Sequence, residues 1–105
     1  MNEKYISVER EASSLKRAVE AYGVHAQTDM MIEEMSELTK AILKYRRALR
    51  HSTARECEKE RDSVLEEMAD VQIMLNQMAL IFGDASKQEI AKLERLELRL
   101  AQAER

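Results

Sequence analysis

Proline is absent and glycine occurs only at Gly23 and Gly83, so there are few places where a helix is forced to stop. Tryptophan is also missing, with one phenylalanine and three tyrosines, which argues against the β-rich core of a sandwich or barrel. Cys57 is the single cysteine, so no internal disulfide can form, and its neighbours Glu56 and Glu58 oppose a thiolate. His25 and His51 stand in different segments and match no spaced ligand motif. No stretch approaches the roughly 20 consecutive apolar residues of a membrane span. The first ten residues mix Glu, Lys and Arg without an apolar centre, so we expect a cytoplasmic protein with no membrane partner. A formal charge of -3 gives no reason to expect a nucleic-acid polymer as partner. A Gly-x-x-x-x-Gly-Lys-Ser/Thr loop is lacking, which excludes the phosphate cradle of P-loop enzymes.

What is present is helical material. The 105 residues suffice for one domain, and 45% apolar with 35% charged residues suits polar-faced helices around a single core. Hydrophobic spacing predicts an all-α, four-helix bundle-like fold spanning residues 1–105, with the C-terminal end fraying. The first helix runs from about Glu3 to Tyr22 and stops at Gly23. The second starts near a cap at Thr28 or Asp29 and continues to about Arg50, with a seam of Met31, Met35, Leu38, Ile42, Tyr45 and Leu49. Residues 51–62 are polar and read as the connection, with the end of the stretch open to being helical already. The third helix carries Val64, Met68, Val71, Leu75, Met78 and Phe82 and ends at Gly83-Asp84, and the fourth covers Ala85 to Arg105.

The informative feature is an approximate repeat, Ile32-Glu33-Glu34-Met35-Ser36-Glu37-Leu38 and Leu65-Glu66-Glu67-Met68-Ala69-Asp70-Val71. Each copy sets two carboxylates three residues apart on one helix face, Glu34 with Glu37 and Glu67 with Asp70. Glu34 and Glu67 fall about 60° from the centre of their apolar seams, and Glu37 and Asp70 about 120° away on the same side. The two helices therefore carry matching acidic edges, whereas Glu33, Lys40 and Arg47 cluster on the opposite side and read as solvated. Four carboxylates in a partly apolar groove repel one another and resist ionisation unless a cation neutralises them. Hard oxygen donors without a Glu-x-x-His pairing favour Mg²⁺, with Mn²⁺ as substitute, over iron or zinc.

At these residues the sequence resembles the MazG-like family of all-α nucleoside triphosphate pyrophosphohydrolases, whose signature is Glu-Glu-x-x-Glu followed by Glu-x-x-Asp. Glu33-Glu34-Met35-Ser36-Glu37 and Glu67-Met68-Ala69-Asp70 match it, with a spacing at the long end of the family's range, and the similarity extends from roughly Tyr22 to Arg99. It looks closest to the short single-domain members of bacteria and their phages. The resemblance implies that Glu34, Glu37, Glu67 and Asp70 ligate Mg²⁺. It also implies that a nucleoside triphosphate is cleaved between its α and β phosphates, giving a monophosphate and pyrophosphate. An activated water needs a proton acceptor, for which Glu33 and Glu37 are both candidates. For the phosphates, Lys44 lies close in phase to Glu37, and Lys92, Arg95 and Arg99 form a basic edge on the last helix. Lys92 and Arg95 come first, because family members carry Lys or Arg downstream of the second motif. Gln27, with Tyr22 and His25, precedes the first motif where the resemblance places a substrate-facing entry.

Two other function classes account for part of the pattern. A noncatalytic helical oligomerisation module explains the seams but not the repeated acids, and a nucleotide-binding regulator keeps the acids without turnover. Ile73, Leu80 and Ile81 lie outside the third helix's seam, so more apolar surface is present than one short chain covers, and a homo-oligomer, dimer or tetramer, is expected.

Overall fold

Gly23 sits at φ 90°, a conformation open to glycine without strain, and turns the chain within a single residue between two helices. The computed structural model describes residues 6–104, and those residues contain four helices and no strand. α1 (Val8–Tyr22) starts at Ser7, whose hydroxyl accepts from the Arg10 N–H at 3.1 Å. The expected start near Glu3 lies outside the described residues. α2 (Val24–His51) begins directly after Gly23, upstream of the expected caps. Thr28 is already inside the helix, where its hydroxyl donates back to the carbonyls of Val24 and His25.

The connection after α2 is Ser52-Thr53 alone, rather than the whole polar stretch 51–62. Thr53 caps α3 (Ala54–Phe82) by accepting from the Glu56 N–H at 3.2 Å, so the polar segment is mostly the first turns of α3. α3 ends at Gly83, φ 112°. Asp84 then accepts from the Ser86 hydroxyl at 2.6 Å and from its N–H at 2.9 Å, which holds the Asp84 carboxyl below its usual pKa and starts α4 (Ser86–Ala103).

α2 and α3 form an antiparallel hairpin, bridged near its turn by the Cys57 thiol donating to the Ala48 carbonyl at 3.2 Å. α1 lies across both, tied by Asn76 Nδ2 donating to Glu11 Oε1 at 2.8 Å and Gln77 Nε2 donating to the Leu15 carbonyl at 3.2 Å. α4 packs against none of the other three, so the expected bundle is closed by three helices within one chain and not by four. The Cα radius of gyration of 17.8 Å reflects this, since a compact domain of this length has about 13 Å.

The hairpin seam differs from the one the apolar spacing predicts. On α2 the inward residues are Gln27, Met31, Glu34, Leu38, Ala41, Tyr45 and Ala48, and on α3 they include Glu60, Val64, Glu67, Val71 and Met74. Both helices are turned toward their acidic edges, with Ala41 and Ala48 small enough to let the backbones approach. The other half of each predicted seam faces out, leaving Met35 52%, Leu49 58% and Phe82 75% exposed, together with Ile42, Met68 and Leu75. Ile73 and Leu80 are exposed and Ile81 is half-buried. No helix among the described residues is long and apolar enough to cross a membrane.

Candidate metal centre

Because the two acidic motifs occupy matching phases on antiparallel neighbours, the rotation of the seam brings them face to face. One carboxylate oxygen from each of Glu34, Glu67 and Asp70 lies within 4.8 Å of the other two. Glu34 and Glu67 are half-buried, while Asp70 is exposed. Glu67 Oε2 is buried without a hydrogen-bond partner among the described residues, a lone acceptor whose desolvation none of them offsets. The Glu34 carboxyl is pushed above its ordinary pKa, first by desolvation, then by the charges of Asp70 and Glu67 and a hydrogen bond shared with Asp70.

This donor set fits a hard divalent cation. The three oxygens, within 4.8 Å of one another, are near enough that rotation of the flexible Glu and Asp side chains would let one small cation take all three as ligands. A cation would supply the orphaned Glu67 oxygen with a partner and relieve the repulsion felt by Glu34.

Glu37 is not brought into the three-residue cluster. Its carboxylate points one turn further along, 3.9 Å from the Lys40 ammonium, into a groove of about 210 Å³ that it lines with Glu67, Lys44, Glu60 and Ser63. Glu33 is exposed on the outer side of α2. Lys44 borders this groove, in keeping with its proximity in phase to Glu37. Gln27 is buried at the entry to α2, 8% exposed, whereas Tyr22 and His25 are exposed. Lys92, Arg95 and Arg99 lie on α4, which does not approach the acids of its own chain. Glu60 and Ser63 were hidden from the sequence reading by their placement in or beside a supposed connection. The available signal was that Glu60 precedes Glu67 by one heptad, which puts both on the same stripe. Compared with family models, with curated proteins and with solved structures, the chain matches none. The MazG-like resemblance therefore stands on the two motifs themselves and on the chemistry of the side chains they carry.

Proposed function

We propose that the protein is a cytoplasmic Mg²⁺-dependent nucleoside triphosphate pyrophosphohydrolase of the MazG-like kind, which hydrolyses the α–β anhydride to a nucleoside monophosphate and pyrophosphate. The observation that carries this reading is the convergence of Glu34, Glu67 and Asp70, with Glu67 also holding a buried, unpartnered oxygen. Mg²⁺ held by these carboxylates supplies charge neutralisation at the phosphates and lowers the pKa of water. Glu37 completes the ligand set or, lining the groove beside Glu67, accepts the proton of the attacking water. Glu33, turned outward, is the weaker candidate for that proton. Lys44 neutralises phosphate charge along the same groove, and Gln27 marks the end at which the base enters.

The reading includes self-association as a dimer or tetramer. Burying the outward stripe of Met35, Ile42, Leu49, Met68, Leu75 and Phe82 against a second copy is worth roughly 25 cal/mol per Å². It also gives α4 a surface to pack on, from which Lys92 and Arg95 act on the phosphates in a neighbour's site. A noncatalytic oligomerisation module accounts for that stripe equally well but leaves the clustered acids without a purpose. The test is a panel of nucleoside triphosphates with Mg²⁺, following monophosphate and pyrophosphate separately. Equimolar release of the two by the wild type and loss of turnover by about a hundredfold or more in Glu67→Ala are expected. Release of diphosphate and orthophosphate, or full activity in Glu67→Ala, overturns the assignment.

A further inference from the structure

Beyond Glu67 the space between α2 and α3 continues toward the hairpin turn. The groove beside the acids shares Lys44 and Glu60 with a second hollow of about 300 Å³, lined also by Arg47, Ser52, Glu56 and Lys59. Because Glu67 borders the first hollow, the acidic cluster and the two hollows follow one another along the α2–α3 groove. From Glu67 to Lys59 along α3 is eight residues, or about 12 Å of helix, about twice the span of an extended triphosphate, so the long side chains of Arg47 and Lys59 must reach back toward the acids to meet its last phosphate.

Arg47, which helical phase alone assigns to the solvated side with Glu33 and Lys40, lines a concavity into which Lys44 and Lys59 also reach. These three cations outnumber the two carboxylates there, Glu56 and Glu60. Among the described residues the only ion pair is Lys40 with Glu37, so none of the three is neutralised by a carboxylate within 4.0 Å. Unpaired cations converging from two helices on one hollow suit an anion with several oxygens, and a guanidinium adds two parallel donors that match a phosphate.

Resting on the pyrophosphohydrolase reading, we propose that Arg47 and Lys59 are substrate-binding residues that hold the terminal phosphate of the triphosphate, the end released as pyrophosphate. This sets the direction of the substrate along the groove, with the scissile anhydride at Glu34, Glu67 and Asp70, and the base toward Gln27. It also makes the site prefer three phosphates over shorter chains, because only the longer chain reaches both ends.

The test uses inorganic tripolyphosphate with Mg²⁺, titrated calorimetrically into the full chain. The double substitution Arg47→Gln/Lys59→Gln should weaken binding by about tenfold or more, with each single substitution carrying part of the loss. Mn²⁺ affinity and helix content should not change. Lys16→Gln/Arg17→Gln on α1, which removes the same charge elsewhere, should leave tripolyphosphate binding within about twofold, and Arg47→Lys/Lys59→Arg should restore most of it. Equal affinity in the wild type and both single variants, or an equal loss in the α1 control, overturns the proposal. None of these readouts requires turnover, so failure of the hydrolase reading would show separately, as absent Mn²⁺ binding or wrong products in the wild type.

Discussion

The α2–α3 hairpin and α4 are built from similar amphipathic sequence but are stabilised very differently. All six buried residues among those described, Gln27, Met31, Ala41, Ala48, Met74 and Gln77, lie in the hairpin, whereas α4 has none and leaves Ile90, Leu93, Leu96 and Leu100 exposed. Most helical stability in proteins comes from packing an amphipathic face, and the 18 residues of α4 pack theirs on no other helix among the described residues. The same contrast runs through the hairpin, whose inner seam mixes Met31, Leu38, Tyr45 and Met74 with Glu34, Glu60, Glu67 and two alanines, while Met35, Ile42, Leu49, Met68 and Leu75 face out. The hairpin's inner face thus holds its carboxylates against its small residues, while its outward stripe and that of α4 stay uncovered within one chain.

The strongest way to break this comparison is to charge the outward stripe. Leu75→Glu should convert the assembled protein to a species near the 12.2 kDa of one chain, measured by sedimentation at micromolar concentration, and should lower activity with it. A wild type that is itself fully active at that mass contradicts the role assigned to the stripe. A smaller effect is expected on α4. Lys92→Ala/Arg95→Ala should raise KM for the triphosphate by about tenfold with little change in Tm, because exposed ion pairs contribute only about 0–1 kcal/mol to folding. Mixing this variant with Glu67→Ala should recover part of the activity if α4 serves a neighbour's site.

The smallest effect sharpens the electrostatics of the inner seam. A carboxyl whose folded pKa is raised holds its proton to higher pH in the native than in the unfolded chain. Stability linked to Glu34 is therefore fully present below its ordinary value of 4.5 and is lost as pH rises through the raised value. Without metal, Glu34→Gln should be increasingly more stable than the wild type as pH rises from 4 to 7, and Mg²⁺ should reduce or reverse the difference.

The acidic pairing was legible in the sequence because helical periodicity fixes which residues share a face, and Glu34, Glu67 and Asp70 needed only antiparallel neighbours to meet. The orientation of the hairpin was not, since two overlapping stripes, one through Met35 and Ile42 and one through Glu34 and Ala41, share Met31, Leu38 and Tyr45. Periodicity cannot tell which of them a monomer buries, and the small side chains at Ala41 and Ala48 favour the second. The start of α3 was obscured because residues 54–62 carry only Ala54 and Cys57 to mark an apolar phase, although Thr53-x-x-Glu56 has the form of a capping box. The early start of α2 followed from Gly23, which interrupts the helix for one residue where a longer turn was expected.

The central claim is that the inner seam of the hairpin is a divalent-cation site, and Mn²⁺ titration followed by calorimetry and thermal unfolding tests it most directly. Saturable binding accompanied by a rise in Tm is expected for the wild type, with both effects abolished in Glu67→Gln while its helix content is retained. No binding to the wild type, or the same affinity and the same rise in Tm in Glu67→Gln, would contradict it.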